Sequence, residues 1–135
     1  MSPAEVVNKM MRGDAFSQWL GIEVVRVEAG NCLLQMTVRP EMTNGFGIAH
    51  GGITYALADS ALAFAANSHG IQSVSIETGI SHLKKVEVKD ILTASVREIS
   101  LSRKVGVYNI TITNQNNITV ADFKGTVYRT GVEWS

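Results

Sequence analysis

The chain is short of the features that mark several protein classes. It has one cysteine, Cys32, among 135 residues, which excludes an internal disulfide and a cysteine-based zinc site. Cys32 is expected to be a small core residue in a reducing compartment. There is no surplus of either charge, twelve Lys and Arg standing against twelve Asp and Glu. The electrostatic footprint of a general nucleic-acid binder is therefore missing, and little repulsion opposes association of identical copies. Residues 1–20 carry no continuous apolar h-region, so no secretory signal is expected and the cytoplasm is the default compartment. No apolar run reaches the roughly 20 residues that cross a bilayer, and no membrane partner is expected. Repeats, low-complexity tracts and linkers are also lacking. His69 and His82 show no ligand pattern and are expected on the surface or at strand ends, so no metal is expected, and no cofactor.

What is present suits a compact fold. Hydrophobic residues make up 45% of the chain and charged residues 18%, a balance that can bury a core. The length fits one domain spanning residues 1–135. Ser2-Pro3-Ala4-Glu5 reads as a helix start, with Ser at the N-cap, Pro at the first helical position and Glu at the capping-box position. Val6, Val7, Met10 and Met11 follow at helical spacing. Gly13-Asp14 interrupts, and Phe16, Trp19 and Leu20 form a second amphipathic turn. This segment is expected to pack on the domain's edge, with a lid over a substrate groove as the alternative.

From Ile22 the apolar period falls to two. Ile22, Val24 and Arg26 alternate with Glu23 and Val25, and Glu28-Ala29-Gly30-Asn31 supplies a turn. Leu34, Met36 and Val38 mark a second strand that Pro40 ends. Beyond Asn67, Val74, Ile76 and Ile80 read as one face of a long strand, opposite Ser75, Glu77 and Gly79. Leu92, Ala94 and Val96 mark another strand. The parity then slips at Ile99 and Leu101, as a bulge would make it. Tyr108, Ile110 and Ile112 alternate, Asn114-Gln115-Asn116-Asn117 reads as a tight turn, and Ala121, Phe123 and Val127 oppose Asp122, Lys124 and Thr126. Half-polar strands of this kind belong to an antiparallel sheet with one buried face. The expected fold class is α+β: a curved sheet of five to six strands wrapped round one long central helix.

That helix is the run from Ile53 to about Asn67, apolar on nearly every side and hence buried. It holds one acid, Asp59, and an unpaired carboxylate costs several kcal/mol to bury. Gly51-Gly52 opens it, where backbone N–H groups lack intrahelical acceptors and the helix dipole is positive. Glycine lets a carbonyl come close to such a backbone, which is how an oxyanion hole for acyl transfer is built. Asp59 lies eight residues beyond Gly51, about 12 Å along the axis. That is too far for one carbonyl to touch both, unless the helices of two subunits meet and share the site.

The spacing of Asn44-Gly45, His50-Gly51-Gly52 and Leu57-Ala58-Asp59, with Asn67-Ser68-His69-Gly70 after it, resembles the hotdog-fold acyl-CoA thioesterases, most closely the phenylacetate-degradation branch. Gly106-Val107-Tyr108 and Asp122-Phe123-Lys124-Gly125 fit the same branch, so the likeness runs through essentially the whole chain. It implies a hotdog thioesterase domain that hydrolyses an aryl-acetyl or hydroxylated aryl-acetyl thioester to the free acid and coenzyme A. Gly51 N–H would polarise the carbonyl. Asp59 of the neighbouring subunit would act as nucleophile or as general base on water. Asn44 would position the thioester or water, His50 would orient the turn and Asn44 with it, and Ser75 is the match for a hydroxyl that holds the water. Coenzyme A carries three phosphates, so Lys84, Arg103 and Lys104 are candidate contacts, with Gly52 beside the thioester; taken alone, such basic pairs are most often solvated faces. The branch's aromatic-Leu-Arg-Pro segment reads His82-Leu83-Lys84-Lys85 here. A homo-oligomer is implied, at least a dimer, and a homotetramer built as a dimer of dimers. The alternatives are a non-catalytic acyl-CoA-binding module and a hotdog dehydratase, which generally pairs a catalytic His with an acid.

Overall fold

The computed structural model describes residues Met1–Ser135. Two short helices, α1 (Pro3–Arg12) and α2 (Ala15–Leu20), precede strands β1 (Glu23–Glu28) and β2 (Asn31–Thr37). A 3-10 turn at Pro40–Met42 leads to helix α3 (Gly51–Asn67), followed by β3 (Ile71–His82), β4 (Ile91–Leu101), β5 (Val105–Thr113) and β6 (Thr119–Glu133). The capping box forms as the sequence predicts: Glu5 N–H donates to Ser2 Oγ at 3.2 Å and Ser2 N–H donates to Glu5 Oε1 at 3.1 Å.

All six strands join one antiparallel sheet in the order β1-β2-β4-β5-β6-β3, leaving β1 and β3 as edges. Helix α3 touches every strand from β2 to β6. Strands lie about 4.8 Å apart, and a helix is only about 10–12 Å wide, so the sheet has to curve to reach it from five strands. Leu57, Ala58, Ala61, Leu62, Phe64 and Ala65 are buried on α3 against Leu34, Met36, Leu92, Ile110, Ile112 and Phe123 of the sheet. Each large side chain so buried contributes about 1.5–3 kcal/mol. At β6 the packing leaves no room for a side chain: a Cβ on Gly125 would stand 2.5 Å from Leu62 Cδ2.

Two strand readings are corrected by bulges. In β1 the register shifts between Val24 and Arg26, and Val27, not Arg26, takes the inner position. In β3 it shifts between Ser75 and Glu77. Val74 and Ile76 are therefore exposed, at 57% and 62%, while Ile80 packs on the core. Ser75 pairs with buried Val127, Ile80 with buried Phe123 and His82 with buried Ala121, so all three face the helix layer. The slip expected in β4 is a bulge between Glu98 and Ser100. Cys32 is buried and free. His69 is no bare surface residue: it meets Glu98 Oε2 at 2.5 Å, and Tyr108 donates to the same oxygen at 2.8 Å.

Candidate active site

The loop before α3 is held by its own backbone. Asn44 N–H donates to Ile48 O at 2.8 Å and Gly47 N–H to Asn44 O at 3.0 Å. Gly47 takes φ +78°, a conformation open to glycine. Asn44 Oδ1 accepts from Phe46 N–H at 2.9 Å. Phe46 at the tip is 91% exposed.

His50 is the N-cap of α3. Its Nδ1 accepts from Gly52 N–H at 2.8 Å, and its carbonyl accepts from Ile53 N–H at 2.9 Å. An accepting Nδ1 puts the proton of the neutral ring on Nε2. Capping thus satisfies the second and third amides of the helix and leaves Gly51 N–H with no acceptor in the chain. That amide borders a cleft of about 300 Å³ lined by Asn44, Gly51, Thr54, His82, Lys84 and Lys85. A donor at the positive end of a helix, in a cleft whose charged side chains are lysines, suits an oxygen that gains negative charge.

A second cleft, of about 260 Å³, lies further along the same helix and holds Asp59, Ser75, Met10, Leu62, Asn67 and Val127. Asp59 is half-buried and makes no hydrogen bond or ion pair within the chain. Burial is the main cause raising its carboxyl above the ordinary 3.8, and the charge of Asp14 adds to it. Asp14 caps α2, accepting from Ser17 N–H at 2.9 Å and from Ser17 Oγ–H at 2.6 Å; Ser17 Oγ lies 2.8 Å from Ser60 Oγ. A carboxylate with a raised pKa and no fixed partner is placed to take a proton from water.

The structure therefore brings Asp59 and Ser75 together in one cleft, and Asn44, Gly51 and Lys84 in the other. His50 acts by capping, and no hydrogen bond joins it to Asn44. Gly52 lies in the first turn, but His50 already takes its N–H. Arg103 and Lys104 occupy the β4–β5 turn, where Lys104 O accepts from Arg129 N–H at 2.8 Å. Arg129 pairs with Ser73, which places them toward the C-terminal end of α3, away from Lys84. Sequence reasoning missed the facing of His82 onto Gly51 and the charge of Asp14 on Asp59. The first follows from the β3 bulge, which has no marker in composition. The second was hidden in a residue read only as an interruption between helices.

The thioesterase superfamily pattern matches residues 46–121. The acyl-coenzyme A thioesterase PaaI of Escherichia coli (strain K12) is 38% identical over 122 residues, covering 90% of this chain and 87% of that protein. The structure of the Escherichia coli PaaI protein, from the phenylacetic acid degradation operon, superposes with a TM-score of 0.95 at 34% identity, over 98% of this chain and 96% of that one. A Streptococcus mutans protein solved bound to acetyl CoA is similar at a TM-score of 0.81 and 28% identity, over 84% of this chain and 91% of that one.

Proposed function

This chain belongs to the thioesterase superfamily and has the hotdog fold, and from that premise we infer that residues 1–135 form one acyl-CoA thioesterase domain. It hydrolyses a thioester of the phenylacetyl or hydroxyphenylacetyl class to the free acid and coenzyme A. The unpaired Gly51 N–H at the head of α3 carries the reading, because it is a donor fixed in a cleft before any substrate arrives. The carbonyl oxygen accepts from Gly51 N–H, and Asp59 attacks directly or deprotonates the water that does. Ser75, sharing the Asp59 cleft, orients that water. Asn44 and Lys84 line the Gly51 cleft and hold the thioester and a coenzyme A phosphate. Arg103 and Lys104 remain candidates for phosphate contact from their own end of the sheet.

The two clefts sit at opposite ends of β3, and this favours a shared site. One is walled by residues 82–86, the other by residues 73–75. β3 is a 12-residue edge strand, exposed along Val74 and Ile76, and such an edge is a template for pairing. If two copies pair antiparallel about a two-fold near Thr78 and Gly79, Ser75 of one lies opposite the partner's His82. The Asp59 cleft of each then meets the Gly51 cleft of the other. The dimer is the minimum assembly. Exposed Val25, Ile99, Leu101, Tyr128 and Val132 supply apolar surface for a second association into a homotetramer. A cytoplasmic location fits the free, buried Cys32.

Thiol release measured over a panel of aryl-acetyl, aroyl and aliphatic acyl-CoA thioesters tests the activity. The aryl-acetyl class is expected to give the highest kcat/KM. Tight binding of a non-hydrolysable analogue without any thiol release would make the protein a binding module instead.

A further inference from the structure

His82 ends β3 with its ring beside Gly51, in the space a side chain there would take. A Cβ placed on Gly51 would stand 3.2 Å from His82 Nε2 and 3.3 Å from Cε1. One edge of the imidazole, carrying Nε2, thus lies against Gly51, the residue whose amide the capping of α3 leaves open. The ring lines the same cleft as Asn44 and Lys84, and no group in the chain hydrogen-bonds to it. The side chain is exposed, so it gains little from packing.

Its placement depends on the β3 bulge. Ser75 and His82 are an odd number of residues apart and would face opposite sides of a regular strand. The extra residue between Ser75 and Glu77 turns both onto the helix face. Lys84 and Lys85, the charged side chains in this cleft, keep it favourable to negative charge.

We propose that His82 is a catalytic residue, the second hydrogen-bond donor to the thioester carbonyl beside Gly51 N–H. As the nucleophile's oxygen bonds to the carbonyl carbon, the carbonyl π electrons move to oxygen. That oxyanion accepts from Gly51 N–H and from the ring N–H of His82. When the carbonyl re-forms, the carbon–sulfur bond breaks and the thiolate leaves with its electron pair. An imidazole carries an N–H in either protonation state, and that N–H donates without giving up its proton at this step.

This inference rests on the thioesterase reading, and the test separates the two. His82→Phe keeps a planar side chain without a donor, while His82→Gln restores an N–H near the position of Nε2. Steady-state thiol release is measured for wild type, both variants and Asp59→Asn, together with affinity for a non-hydrolysable acyl-CoA thioether. His82→Phe is expected to lose about 10²-fold in kcat, the scale of one oxyanion donor, with KM and thioether affinity within about threefold of wild type. His82→Gln is expected to recover most of the loss. Wild-type kcat in His82→Phe, with Asp59→Asn inactive, would overturn the role of His82 and leave the thioesterase reading standing. Equal losses in the Phe and Gln variants would likewise overturn it, since a residue needed only for shape is not rescued by a donor. A wild-type protein that hydrolyses no thioester in the panel would overturn both.

Discussion

Gly52 N–H donates to His50 Nδ1 at 2.8 Å, and this bond decides which of two adjacent glycine amides is open to a ligand. With the second amide capped, the first is the donor that faces the cleft. The glycine pair thus divides its work. Gly51 leaves its backbone approachable, and Gly52 lets the imidazole fold back, since a Cβ there would stand 3.0 Å from Nδ1.

Replacing His50 by alanine should therefore harm stability and turnover together. The lost cap is worth about 1 kcal/mol, read as a lowered midpoint in urea, and kcat should fall as the first turn of α3 loosens. His50→Asn supplies another capping oxygen and should restore most of the stability. Equal destabilisation by both substitutions would show that something other than the cap holds this turn.

Asp59→Asn should lower kcat at least about 100-fold, the scale of a lost general base, while acyl-CoA binding survives. The same variant carries a sign test for stability. The folded-state pKa of Asp59 is raised, mainly by burial. The folded protein therefore holds this proton more tightly than the unfolded chain, and stability falls as pH rises from the unfolded pKa through the folded one. Asp59→Asn lacks that penalty. Its stability relative to wild type should rise across this window and then level off, which denaturation curves at several pH values would reveal.

Much of this was legible in the sequence and some was not, for physical reasons. The all-round apolar run of α3, its lone acid and the capping box of α1 are local patterns, and each lies where its pattern indicates. The β4 bulge was legible because apolar parity changes between Val96 and Ile99. The β3 bulge was not, since Val74, Ile76 and Ile80 keep an unbroken alternation. That alternation suggests one buried face, yet an edge strand leaves Val74 and Ile76 exposed. Nor does sequence spacing tell which helix-start amide is capped. That depends on the rotamer of His50, and so on the loop that Met42 O and Ile48 O hold in place.

Asp14→Asn offers a milder probe of the same acid. Asp14 is the second cause of the raised Asp59 pKa, and asparagine keeps an oxygen for Ser17 N–H at the α2 cap. Removing the like charge favours ionised Asp59, so the acid limb of kcat against pH should move to lower pH. The plateau above it should change little. An acid limb that stays in place would mean that the Asp14 charge does not reach Asp59 in the working enzyme.

The last prediction concerns which chain supplies each half of the site. Gly51 and Asp59 lie about 12 Å apart along one helix and open into separate clefts at the two ends of β3. Antiparallel pairing of two β3 edges would bring unlike clefts together. Gly51→Val should be inactive, because its methyl groups fill the space where His82 Nε2 lies 3.2 Å from a Cβ and block the amide; Asp59→Asn should be inactive for want of the carboxylate. Mixed under conditions that exchange subunits, the two should complement. In a mixed dimer one site joins Gly51 of one chain to the partner's Asp59, both intact, and the other site carries both defects. Random exchange of equal amounts makes half the dimers mixed, so about a quarter of wild-type thiol release should return. Absence of any recovery, with exchange verified by mass spectrometry of differently tagged chains, would place both residues of a site in one subunit.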